Sequence, residues 1–149
     1  MSLAFRNVEV PLDTPVDLWP YEALVTAIER GTVTDWATLS RAIRRDPWGP
    51  VARQVELYLS YAQPWGVGPL LARAIASARA SSEADERAAV AAEVRSLVEE
   101  SGLNPSEFAL RIGTSRSRLS TYRNGRVTPS AAVLVRMRRV VEHLRSGSR

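Results

Sequence analysis

The stretch from Ser115 to Gly125, Ser-Arg-Ser-Arg-Leu-Ser-Thr-Tyr-Arg-Asn-Gly, sets hydroxyls and guanidinium groups at helical spacing with no acid among them. At about 100° per residue, a helix that turns Leu119 and Tyr122 inward sends Ser117, Thr121 and Asn124 directly outward, flanked by Arg116, Ser120 and Arg118. Small residues let a helix backbone approach base edges in the major groove of a duplex. Arginine can pair with guanine O6 and N7 through two parallel hydrogen bonds. Arg123, Asn124 and Arg126, at the far end, suit phosphates, which set register without reading sequence.

Such a surface needs a second helix to brace it. Upstream, Asn104 suits a helix cap, Pro105 a first turn, and Phe108, Ala109 and Ile112 form one short buried face. Gly113 breaks that helix, Thr114 or Ser115 caps the next, and Asn124-Gly125 ends it. Ala109 falls where the two helices cross, so a larger side chain there would push them apart. Two helices joined by a tight glycine turn make a helix-turn-helix unit. Before it, Val90, Val94, Leu97 and Val98 form a helical stripe closed by Ser101-Gly102. After it, a helix from Ser130 to Arg145 turns Leu134, Met137, Val141 and Leu144 inward, leaving Arg136, Arg138, Arg139 and Arg145 as a solvated face near the phosphates. His143 reads as a surface residue beside Glu142.

Residues 88–145 resemble the helix-turn-helix domain of the Cro/CI-like, or Xre, family of DNA-binding regulators. The resemblance rests on Gly102-Leu103, Ala109, Gly113, Ser115, Leu119, Ser120, Tyr122 and Gly125, followed by Pro129-Ser130 and an amphipathic helix. It implies that Arg116, Ser117 and Thr121 read bases and that Asn124 contacts a phosphate, with Ala109, Gly113, Leu119 and Tyr122 as the motif core. Arg118 and Ser120 then flank the groove, and Arg123, Arg126 and Arg139 join Asn124 on the phosphates. Pro105 and Ser106 stand where the family often has a Gln, Thr114 replaces a Val or Ile, and Arg123 replaces a frequent Glu. The family's usual fifth helix has no counterpart after Arg145, a departure from the pattern in which the upstream helices are expected to close the core instead.

Charge and aromatic content divide the 149 residues into two regimes. Residues 1–82 hold eight arginines against eight acids, whereas from Leu103 onward there are ten against two, leaving one end of the chain suited to a polyanion. All 20 basic residues are Arg, a bias that a GC-rich genome explains as readily as function. Of ten aromatic residues only Phe108 and Tyr122 follow Trp65. The fold class expected is all-α: an N-terminal Trp-rich helical domain over 1–82, for self-association or a protein partner, then the helix-turn-helix bundle over 83–149. The small polar junction 80–86 leaves open whether 69–100 is one helix or two.

The periodicity of the first domain is helical after an extended opening through Val10, Pro11 and Pro15. Tyr21, Leu24 and Ile28 share one face of a helix that stops at Gly31. Thr34 or Asp35 caps a second, with Trp36, Leu39 and Ile43 inward, and Asp46-Pro47 ends it. Pro50 opens a third with the stripe Val51, Val55, Tyr58, Leu59 and Ala62, and Pro69 a fourth with Leu70, Ala74, Ile75 and Ala78 inward. Pro-Trp-Gly occurs twice, at 47–49 and 64–66, each time followed by a proline and then Ala-Arg. The expected role is a turn that inserts an indole into the core; the alternative is a Trp-lined groove for a ligand or partner.

Several functions are excluded at this level. Zero cysteines and one histidine rule out thiolate metal sites, thiol nucleophiles and multi-histidine centres. Residues 1–82 carry no His, Cys or Lys, no Gly-rich phosphate loop and no paired-carboxylate motif, so no enzyme activity and no cofactor is expected. No segment is apolar enough to span a membrane and the N-terminus lacks a secretion signal, which places the protein in the cytoplasm, associated with the nucleoid. RNA is disfavoured because the motif lacks exposed aromatics for stacking.

The function expected is a sequence-specific regulator of double-stranded DNA, a repressor, reading with the helix 115–124. As a homodimer it would set two reading helices about 34 Å apart on an inverted repeat. The alternative is an antitoxin whose N-terminal domain neutralises a toxin while the tail represses the shared operon.

Overall fold

The computed structural model describes residues 13–148, together with the backbone of 2–5 and 8–11. The side chain of Phe5 and all of Arg149 lie outside the described residues. The fold is all-α, with a small antiparallel ribbon at its start: β1 (Ser2–Phe5) pairs with β2 (Val8–Pro11), Ser2 opposite Pro11 and Phe5 opposite Val8. A 3-10 turn (Val16–Leu18) leads into α1 (Tyr21–Arg30), α2 (Val33–Arg45), α3 (Pro50–Tyr61), α4 (Val67–Ser101), α5 (Pro105–Arg111), α6 (Arg116–Arg123) and α7 (Ala131–Ser146). Residues 69–100, left open by the sequence, lie in one helix.

Contacts divide the chain into two compact units, Met1–Ser82 and Glu83–Arg149, and each has its own core. In the first, Leu24, Ile28, Leu39, Ile43, Val55 and Leu71 are fully buried, with Trp19 and Tyr58 beside them. Apolar burial of this kind is worth about 25 cal/mol per Å² removed from water, so these side chains dominate the unit's stability. Polar anchors orient the aromatics. The Trp19 indole donates to the Thr14 carbonyl at 3.1 Å, and the Trp36 indole donates to the Ala27 and Ile28 carbonyls at the end of α1.

Several details depart from expectation. Thr32 caps α2, not Thr34 or Asp35; the Asp35 carboxylate accepts the Thr32 N–H at 2.7 Å and its hydroxyl at 3.1 Å. Helix α4 starts at Val67 rather than Pro69; its inward row is Val67, Leu71, Ile75 and Ala78, and Leu70 faces out at 52% exposure. Neither Pro-Trp-Gly indole enters the core. Trp48 is 49% exposed and lies under the Arg79 guanidinium at 4.6 Å, while Trp65 is 99% exposed. Arg79 also donates to the Pro47 carbonyl and to both Glu56 oxygens, so the first turn is held by a cation rather than by burial. That bond holds the Glu56 carboxyl below its usual range.

Candidate nucleic-acid interface

Helix α5 starts where Asn104 and Glu107 cap each other: Asn104 Oδ1 accepts the Glu107 N–H at 3.0 Å, and the Glu107 carboxylate accepts the Asn104 N–H. Pro105 takes the first helical position, where a missing N–H costs nothing. The helix stops at Gly113, whose φ of +76° a side chain disfavours. The Thr114 N–H reaches back to the Ala109 carbonyl at 2.9 Å and the Gly113 N–H to that of Leu110 at 3.2 Å, a pair of bonds that satisfies the last carbonyls of α5. Two residues later Ser115 Oγ accepts the Arg118 N–H at 3.1 Å and opens α6.

Phe108, Ala109 and Leu119 are completely buried, with Ile112 and Tyr122 nearly so, together with Val94, Met137 and Val141 from α4 and α7. Ala109 matters here for its size, since it is completely buried in a cluster shared with Leu119 and Tyr122 of α6. The far end of α6 closes with Gly125 at φ +76°, while Asn124 Oδ1 accepts the Arg126 N–H and the Thr121 carbonyl accepts that of Val127.

Opposite this buried edge, Arg116, Ser117, Arg118 and Ser120 are exposed along one side of α6, with Asn124 and Arg126 exposed at its end. Thr121 differs from the expected outward position: it is half-buried, and its hydroxyl donates to the Arg118 carbonyl at 2.6 Å. With that proton committed, Thr121 presents its methyl group and an acceptor oxygen. Arg118 Nε donates to the Tyr122 hydroxyl at 3.0 Å, which lays the guanidinium across the helix flank. Arg123 is half-buried, and its Nε is buried with no hydrogen-bond partner among the described residues.

On α7, Ser130 Oγ caps the first turn, Arg136 and Arg139 are exposed, and Leu144 is half-buried. Arg138 and Arg145 are exposed, as expected of a solvated face, and also pair with Glu93 and Glu100 of α4 at 2.7 and 2.6 Å. The Glu93 carboxylate holds the Arg138 guanidinium above its ordinary pKa. Both pairs are solvent-exposed and salt-screened, so they fix side chains more than they stabilise the unit.

Two arginines that sequence reasoning passed over join the site. Arg95 Nη1 donates to the Arg123 carbonyl at 2.6 Å, placing a cation at the negative end of the α6 dipole. With Arg87 it lines a recess of about 330 Å³ that Asn124 and Gly125 complete. Their spacing around Ala91, at i, i+4 and i+8, puts them on one side of α4, but nothing local tells that this side meets the end of α6.

Residues 89–142 match the family model described as a helix-turn-helix domain. The match lies wholly inside the second unit and supports the reading of this segment as a helix-turn-helix domain. No curated protein and no solved structure matches the chain. In the helix-turn-helix domain α5 is the bracing helix and α6 the one whose exposed side carries the small hydroxyls and arginines.

Proposed function

We propose that this chain is a sequence-specific transcriptional regulator, a repressor of the Cro/CI-like type, acting on double-stranded DNA in the cytoplasm as a nucleoid-associated homodimer. The observation that carries the reading is the exposed row Arg116, Ser117 and Ser120 on a helix whose opposite edge, Leu119 and Tyr122, is anchored in the core. Arg116 and Ser117 read base edges, with the Thr121 methyl against a thymine methyl; Arg118 and Ser120 line the groove wall. Arg123, Asn124, Arg126 and Arg139 take phosphates, and a phosphate oxygen is a fitting acceptor for the orphaned Arg123 Nε once that side chain swings out. Arg87 and Arg95 add positive potential at the same end.

One short helix reads only a few base pairs, so specificity requires two copies on an inverted repeat. The first unit, Met1–Ser82, supplies self-association or a protein contact. Selection from random duplexes with the full-length chain tests the reading: enrichment of an inverted repeat with half-sites one DNA turn apart is expected, and a pool that stays random contradicts it.

A further inference from the structure

The second Pro-Trp-Gly turn borders an open cleft of about 520 Å³ in the first unit. Trp36, Tyr58 and Trp65 line it, and Glu29 is the sole charged residue in its wall, with Gln63 and Pro64 along the rim. We propose that this cleft binds a small organic cation of the quaternary ammonium class, held by the Trp36 and Trp65 indoles and by the Glu29 carboxylate, which the buried Tyr58 positions.

Four observations support this. A ring face attracts a cation through its quadrupole, and tryptophan does so best. The carboxylate is fixed in place, because the Tyr58 hydroxyl donates to Glu29 Oε1 at 2.6 Å. Burial and that bond push Tyr58 up to about 12, so the phenol stays a neutral donor to the carboxylate. The repeated turn shows the same chemistry satisfied from within: Trp48 at the first copy carries the chain's own Arg79 guanidinium at 4.6 Å, whereas Trp65 at the second is 99% exposed. What the first copy obtains from the chain, the second has available for a ligand.

Size and hydrogen-bonding capacity select the class. The volume falls within the range of about 300–1,000 Å³ typical of small-molecule sites. A primary ammonium brings three donors that need acceptors, and one Glu29 oxygen is already engaged by Tyr58. A methylated ammonium has no N–H to satisfy and presents an apolar shell to the rings.

Titration of the full chain with choline, followed by calorimetry and tryptophan fluorescence, tests the proposal against its uncharged carbon isostere, dimethylbutanol. Choline should bind saturably and the isostere at least about tenfold more weakly. Trp65→Ala and Glu29→Gln should each weaken choline about five- to thirtyfold, and Trp65→Phe should recover part of the loss. Trp65 is almost fully exposed, so Trp65→Ala should leave the thermal unfolding midpoint unmoved, whereas Glu29→Gln weakens the bond from Tyr58 and should lower that midpoint slightly. Absence of saturable binding, equal affinity for the isostere, or wild-type affinity in both variants would overturn it.

Discussion

At the residue scale, the arginines of the second unit divide by what they touch. Arg138 and Arg145 are paired with acids of α4, whereas Arg116, Arg126 and Arg139 are exposed on the surface. Different consequences follow for removing each. Arg116→Ala should relax base preference at one position of the selected site, a cost of about 1–3 kcal/mol. Arg126→Ala and Arg139→Ala should weaken all duplexes alike and lower the salt slope by about one; competition binding across single-base variants of the site checks both. Two small residues test the brace rather than the reading surface. A Cβ at Gly113 would meet no atom, so Gly113→Ala costs only the left-handed backbone, about 1–2 kcal/mol. Ala109→Leu forces extra volume between two packed helices and should destabilise the unit by about 1–3 kcal/mol. Urea unfolding followed by circular dichroism measures both, and Ala109→Leu should also lose DNA binding because α6 is displaced.

At the element scale, caps decide where the short helices α5 and α6 begin. Each is too short to persist in isolation, so its ends and its buried face must both contribute. Asn104→Ala and Ser115→Ala should each cost about 1 kcal/mol in the same unfolding assay. These elements were legible in the sequence because several local signals agree: Asn104 followed by Pro105 and Glu107, the glycine stop at 113, and the inward pair Leu119 and Tyr122. Elsewhere the signals competed. Thr32, Thr34 and Asp35 are all acceptable caps, and only the reciprocal bonds of Thr32 with Asp35 decide among them. Leu70 and Leu71 are equally apolar neighbours, and only the packing of α4 on the core puts Leu71 in and Leu70 out. Trp48 and Trp65 look like core residues by type, yet a tryptophan's burial depends on what the rest of the fold brings to it. The bond from Arg95 to the α6 terminus joins residues 28 apart, and no local pattern announces it. An extended N-terminal segment was readable from its composition, but its pairing as a ribbon was not.

At the scale of the whole molecule, each unit carries its own buried core and the acidic and basic groups are unevenly shared between them. Among the described residues no helix is long and apolar enough to cross a membrane, and no group of acids and histidines is arranged to hold a metal ion. The first unit also has a pH signature. Burial, reinforced by hydrogen bonds to Tyr61 and Glu29 respectively, raises Tyr21 and Tyr58 from 10.0 to about 12. A raised folded-state pKa means that this stabilisation is complete below pH 10 and is lost as the pH climbs toward 12. Ultraviolet titration should therefore show Tyr21 and Tyr58 ionising late, with stability falling over the same interval.

The central claim is that α6 reads sequence rather than merely supplying charge. Fluorescence anisotropy of the full chain with the selected duplex and with a scrambled one, at several fixed salt concentrations, tests it most directly. Sequence reading predicts at least about a thousandfold preference for the selected duplex at a given salt concentration, largely abolished by Ala109→Leu. Equal affinity for both duplexes, falling with the same steep salt slope, would contradict it and reduce the surface to a nonspecific arginine face.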